Sequence, residues 1–390
     1  MKFLKKLTKF LCYKSIYVID TIIPKRSSTI IFGNRGYNTN WEGNHLVFYR
    51  HLLTKNIDAL IIKEKKVSNK INFSNTIKLF TSRIVIVHHG LDDLRYPFFN
   101  WNKRIVIVLW HGINLKGLSL TDFNYYHDKN MQKNIIKNSN YYNVVISTSK
   151  ITKLSMISNF GILPEKVINT GYPRNDLLLR EFDKLPEVCK QQLKRIKDIK
   201  GEKKLILYVP TFRDKEVDLY KFSNSQLKKI SHLMTKNNCI FCFKGHNNSN
   251  FEILPFNNVL NYSFFDISEV QLLLRETEVL ITDYSGIWFD FLLMDKPIIG
   301  FCYDYEKYEY ERGFIYELHK IFPGRIANDF DELLDELDRT LMLENFDVNN
   351  TKYEFVKNLF HQYKDDKSSE RVLEVIKKLA NNEEIPRKYL

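Results

Sequence analysis

What most constrains this chain is a series of short, continuous apolar runs, rich in β-branched residues and spaced along its whole length. In the first half they read as strands near Thr29–Gly33, Ala59–Lys63, Ile84–His88, Arg104–Trp110 and Val144–Thr148. In the second half they lie near Leu205–Pro210, Ile240–Lys244, Val279–Thr282 and Pro297–Tyr303. These runs lack the alternation of apolar and polar residues expected of a strand with one wet face. Strands of this kind are buried on both sides, as in a parallel sheet covered by helices, and the longer mixed segments between them supply the helices. The predicted fold class is therefore α/β.

Around residues 180–203 the sequence turns charged and helical in pattern, and a new strand begins at Leu205. That break divides the chain into two α/β lobes, 26–195 and 200–370, and 371–390 reads as a C-terminal helix. A length of 390 residues is ample for two cores. The cleft between lobes is where a ligand is expected.

Lys and Arg number 59 against 46 Asp and Glu, a net charge of +13, which favours anionic partners: nucleic acid, acidic lipid or phosphate-rich substrates. The basic residues are spread over the chain without a recognised nucleic-acid module, so no nucleic-acid partner is predicted. The five cysteines, an odd number in a long chain, argue against a secreted disulfide scaffold. Cys239 and Cys242 lie in the apolar run Cys-Ile-Phe-Cys-Phe and read as core residues, since a zinc site needs four ligands and no second pair exists. Residues 1–25 place Lys2, Lys5, Lys6 and Lys9 on one side of a helix and Phe3, Leu7, Phe10 and Leu11 on another. This suits a basic helix lying on a membrane surface, and equally a helix packed on its own domain. Lys14 and Asp20 interrupt any signal-peptide core. If the helix is the anchor, deleting residues 1–25 is expected to release the protein from membranes with its sites intact.

Open α/β sheets bind ligands beyond the carboxyl ends of their strands. Several of those ends carry reactive side chains here. Trp110-His111-Gly112 closes one strand, with Lys116 following, and a histidine so placed suits general-base work. Arg213 follows the strand ending in Tyr208-Val-Pro-Thr and has the fork to pair with phosphate. Lys244-Gly245-His246 closes a third strand. Thr282-Asp283-Tyr284-Ser285-Gly286 leads from a strand into a helical run, placing Ser285 and Gly286 where free backbone N–H groups attract phosphate; N-capping by Asp283 or Ser285 is compatible with that role. Gly171-Tyr-Pro-Arg174-Asn175-Asp176 is a turn carrying one base and one acid.

Taken in order, these pieces resemble the CDP-glycerol glycerophosphotransferase family of teichoic acid and capsule synthesis. The matching residues are Trp110-His111-Gly112 with Lys116, Gly171 with Pro173-Arg174-Asn175-Asp176, and Tyr208 with Pro210-Thr211-Phe212-Arg213-Asp214. They continue with Lys244-Gly245-His246, Thr282-Asp283-Tyr284-Ser285, Tyr303-Asp304 and Arg312-Gly313-Phe314. Gly33 and Asn44 echo a looser N-terminal Gly…Asn segment. Three positions depart: Gly286 stands where a second Ser is usual, Asn247 where Pro is common, and Ile113-Asn114 where Thr-Pro is usual. These departures bear on the donor or acceptor more than on the reaction class.

The resemblance implies a GT-B fold of two Rossmann-like lobes whose parallel sheets face a central cleft, the N-terminal lobe binding the acceptor and the C-terminal lobe the CDP-alditol donor, and transfer of glycerol phosphate, or a related alditol phosphate such as ribitol phosphate, from that donor to an acceptor hydroxyl, with CMP leaving. A nucleotide-sugar glycosyltransferase would share the fold. The implied catalytic residues are His111, as base, and His246; Arg213 would join His246 at the donor diphosphate. Gly112, Lys116, Arg174, Asp176, Thr282, Asp283, Ser285, Gly286 and Arg312 would complete the substrate site, with Asp176 and Asp283 orienting neighbours. The implied acceptor is a polyprenyl-diphosphate-linked saccharide or a growing polyol-phosphate chain, at the cytoplasmic side of the bacterial cell membrane. No Asp-x-Asp cluster stands at a strand end, so no metal or other cofactor is predicted to be required.

Overall fold

The computed structural model describes residues 2–34, 43–63, 73–94, 99–122, 127–211, 213, 219–244, 256–261, 265–267, 269–343, 346–347 and 351–390, without the side chains of 2–10, 34, 63 and 73. Twelve strands form two six-stranded sheets. The first contains β1 (Arg26–Asn34), β2 (Asp58–Lys63), β3 (Ser82–Val87), β4 (Ile105–Val108), β5 (Val144–Ser147) and β6 (Val167–Asn169), in the order β2-β1-β3-β4-β5-β6. The second contains β7 (Lys204–Val209), β8 (Cys239–Phe243), β9 (Val259–Asn261), β10 (Thr277–Thr282), β11 (Ile298–Phe301) and β12 (Ile326–Ala327), in the order β12-β11-β10-β7-β8-β9.

Every paired neighbour is parallel, with Ile84 beside Ile105 and Leu280 beside Leu207. All residues of β4, β5, β8 and β11 are buried, which is why their sequence lacks alternation. The nine expected strands are all present. The three unforeseen ones, β6, β9 and β12, are two or three residues long and lie at sheet edges, too short to leave an apolar run of their own. Cys239 and Cys242 sit buried in β8.

The predicted boundary at residue 370 falls inside the helix Ser368–Ala380, which packs on the N-terminal lobe. The chain has by then crossed back: Gln362 N donates to Thr148 O at 2.8 Å and Arg371 Nε to Thr170 O at 2.7 Å. Asp176 receives this segment, accepting the N–H groups of Ser368 and Ser369 at 2.8 and 2.9 Å.

The N-terminal helix Lys2–Ile22 is tied down at its end by Asp20, whose side chain is fully buried. Asp20 takes both forks of Arg104 at 2.6 Å, Lys25 Nζ at 2.8 Å and the Asn100 N–H at 2.8 Å. Deleting residues 1–25 would therefore leave Arg104 buried without its carboxylate partner, a cost to stability that the sequence did not reveal. Tyr13, Ile16 and Asp20 form the better-covered side of the helix; Leu11, Val18 and Ile22 lie opposite, 55%, 54% and 74% exposed. Among the described residues no helix is long and apolar enough to cross a membrane.

Candidate active site

Beyond Val108 the chain reaches His111 through Trp110, whose φ of 51° is strained for a bulky residue. Its surroundings hold it there. The indole is buried and its Nε1 donates to Asn114 Oδ1 at 3.1 Å. Asn44, fully buried at the start of the helix Asn44–Thr54, donates to the carbonyls of Leu109 and Trp110 at 2.9 and 2.8 Å. Its Oδ1 accepts the Arg174 N–H at 3.1 Å. One amide side chain thus fixes the His111 loop against the Arg174 turn.

His111 opens onto the cleft, yet protein atoms crowd it. That desolvation, reinforced by His89, His88, Arg174 and Lys116, holds its pKa well below 6.5. At neutral pH the imidazole is uncharged and has a lone pair for a proton, as a general base requires.

The cleft has a volume of about 350 Å³. His111, Gly112, Lys116 and Arg174 line it from the N-terminal lobe, and Thr211, Lys244, Tyr284, Ser285, Gly286 and Asp290 from the other. Lys116 Nζ lies 3.1 Å from Tyr308 Oη, and the Ile315 N–H donates to Leu115 O at 2.8 Å, so the loop after His111 is paired with the opposite lobe.

Arg174 is largely engaged by protein. Its guanidinium donates to His111 O and pairs with Asp290 Oδ2 at 2.5 Å across the lobes. It serves as a strut behind the base. A Cβ on Gly112 would lie 2.6 Å from that guanidinium. A Cβ on Gly286 would lie 2.4 Å from the backbone oxygen of Ile113, so the serine usual in the family would collide with the facing lobe. Ser285 accepts the Ile287 N–H at 3.4 Å, but the helix it opens, Ile287–Phe291, has only five residues. Helical backbone continues from there through the 3-10 turn Leu292–Met294.

Several residues expected at the substrate are engaged by protein partners. Arg213, expected at the donor diphosphate, is buried instead between Asp304, at 2.9 and 3.0 Å, and Asp283, at 2.9 Å. Asp283 also accepts from Thr211 N and Oγ1 at 2.7 and 2.6 Å and from Tyr284 N at 2.6 Å. Thr282, fully buried, donates its hydroxyl to Val209 O at 2.6 Å. Asp176 holds the returning C-terminal segment, and Arg312 ends the helix Tyr305–Arg312 without lining the cleft. Gly245 and His246 lie outside the described residues, as do Phe212, Asp214 and Asn247.

Asp290, Asn44, His88 and His89 received no role from the sequence. Two signals were available: Asp290 is a lone carboxylate in the apolar run Ile287-Trp-Phe-Asp-Phe, and His88-His89-Gly90 repeats the His-Gly strand ending of His111-Gly112.

Comparison with known proteins agrees with this architecture. Residues 38–378 match the sequence family described as CDP-glycerol:poly(glycerophosphate) glycerophosphotransferase. The teichoic acid poly(ribitol-phosphate) polymerase of Bacillus spizizenii is 28% identical over 402 residues, covering 96% of this chain and 60% of that one. The chain thus spans less than two thirds of that relative's length. The teichoic acid glycerol-phosphate primase of Bacillus subtilis is 28% identical over 338 residues, covering 84% and 81%. Among solved structures, the wall teichoic acid polymerase TagF soaked with CDPG superposes with a TM-score of 0.76 at 20% identity, covering 98% and 97%. The fold is of the GT-B type, two parallel-sheet lobes about a cleft.

Proposed function

The chain belongs to the CDP-glycerol:poly(glycerophosphate) glycerophosphotransferase family, and from that premise we propose that it transfers glycerol phosphate, or a related alditol phosphate, from a CDP-alditol to an acceptor hydroxyl in teichoic acid or capsule synthesis. The observation that carries the reading is the placement of His111 at a strand end, in a cleft that Lys116 and Lys244 also line. His111 takes the acceptor hydroxyl's proton as that oxygen attacks the alditol-bearing phosphorus. The bond from that phosphorus to the bridging oxygen breaks, and CMP leaves with the electron pair. Cationic side chains and backbone N–H groups offset the charge spread over the phosphate oxygens. His246, two residues beyond Lys244, is assigned to the donor diphosphate on the resemblance alone.

No metal is assigned to this step; undiminished turnover in excess EDTA supports that, and complete Mg²⁺-reversible loss overturns it. The acceptor is assigned as a polyprenyl-diphosphate-linked saccharide or a polyol-phosphate chain. The enzyme would work as a peripheral protein on the cytoplasmic membrane surface. The outward apolar stripe Leu11, Val18 and Ile22, with the lysines preceding it, supports that location. The deciding experiment incubates the chain with CDP-glycerol or CDP-ribitol and a lipid-linked acceptor, following CMP and product length. Acceptor-dependent CMP release is expected; its absence with both donors overturns the assignment.

A further inference from the structure

His88 and His89 follow β3, and His111 follows β4, its neighbour in the same sheet. Consecutive side chains on an extended chain point to opposite faces. Here the rings of His88 and His89 are 4.3 Å apart between centroids. The buried carboxylate of Asp93 explains this, since its Oδ2 accepts the N–H groups of His88, His89 and Gly90 at 2.6, 2.8 and 3.4 Å and folds the strand end into a turn. Both rings are thereby brought to His111, at 5.8 Å from His88 and 4.9 Å from His89.

One nitrogen of each ring lies within 4.8 Å of one nitrogen of each of the others. The centre of such a triangle is about 2.8 Å from each, and inward ring movements of about 0.7 Å would reach the zinc–imidazole distance of about 2.1 Å. His89 also has a carboxylate nearby, with Nδ1 3.9 Å from Asp93 Oδ1, beyond hydrogen-bond reach. Of the cations that line the cleft beside His111, Arg174 is paired with the carboxylate of Asp290.

We propose that His88, His89 and His111 bind one divalent transition-metal ion of the zinc type, leaving a fourth position open to the cleft, and that its capture inhibits transfer. Three imidazoles select such an ion over Mg²⁺ or Ca²⁺, which take oxygen ligands. The site itself does not depend on the function proposed above. The inhibition does, because coordination takes the lone pair with which His111 would accept the acceptor's proton.

The test uses Co²⁺ as a visible probe of the 390-residue chain. One Co²⁺ per chain is expected, with the visible absorption of a four-coordinate site that Zn²⁺ abolishes. His88→Gln and His89→Gln should each lose that spectrum while melting as cooperatively as the parent. Absence of stoichiometric Co²⁺, or a spectrum retained in both variants, overturns the site. In the CMP-release assay, equimolar Zn²⁺ should lower turnover at least tenfold, reversibly with EDTA. A full Co²⁺ spectrum with unaffected turnover would overturn the inhibition and His111's role as base together, while leaving the metal site standing.

Discussion

Replacing Arg174 with Met tests whether an ion pair behind the base holds the two lobes together. The guanidinium lies 2.5 Å from Asp290 Oδ2, with side-chain exposures of 14% and 0%. Removing one partner of a fully buried pair costs about 3–5 kcal/mol, and the partial exposure of Arg174 lowers the expectation to about 2–4 kcal/mol. The sign of the pH dependence follows from Asp290. Burial raises its pKa above 3.8, and Arg174 is the largest influence opposing that rise. Without Arg174 the folded-state pKa climbs further. A carboxyl whose pKa is higher folded than unfolded stabilises the fold at low pH and loses that contribution as pH rises through the folded value. The deficit of Arg174→Met relative to the parent should therefore be larger at pH 8 than at pH 5. Urea unfolding followed by tryptophan fluorescence at both pH values measures it. In Arg174→Met/Asp290→Leu the two losses should be less than additive, by about 2 kcal/mol. A deficit below about 1 kcal/mol at pH 8, or one that shrinks as pH rises, would refute the reasoning.

Other substitutions separate chemistry from scaffold. His111→Ala should lower kcat by about 10²–10⁴-fold with little change in Tm. Because the parent's His111 titrates well below 6.5, its kcat/KM should show no acid limb from this group between pH 6.5 and 8. Arg213→Met should cost about 3–5 kcal/mol of stability by leaving Asp283 and Asp304 uncompensated; a loss under about 1 kcal/mol in urea unfolding would show that the cluster is not a support. Val18→Ser with Ile22→Ser should reduce co-flotation with anionic vesicles at unchanged Tm, whereas Asp20→Ala should lower Tm by freeing Arg104. Unchanged flotation in the double variant would mean that this face is not the anchor.

The fold was legible because parallel strands buried on both faces leave continuous apolar runs, and nine did so. Edge strands of two or three residues leave no such mark. The cleft was legible at strand ends, where His111, Lys116, Lys244, Ser285 and Gly286 do converge. What the sequence could not separate was a residue that faces the cleft from one that holds it. Arg213 and Arg174 each follow a strand or turn and carry the same fork, and only packing shows both forks engaged by carboxylates. The role of Asp290 was hidden because its partner stands 116 positions away in the other lobe (290 − 174).

This division explains why a phosphotransferase motif contains so many residues that need never touch a substrate. In-line transfer depends on where the reacting groups stand relative to one another, and the cleft that His111 faces is lined by both lobes. Positions must therefore be fixed twice, within each lobe and between them. Asn44 and Trp110 fix the loop that carries His111; Asp283, Arg213 and Asp304 fix the segment leading to Ser285. Arg174 with Asp290, and Gly286 against Ile113, set the gap between the two. A buried ion pair is a poor source of net stability compared with apolar packing, but it has a single favourable geometry. Buried charge therefore lies here on the elements that set the spacing of the two lobes across the cleft.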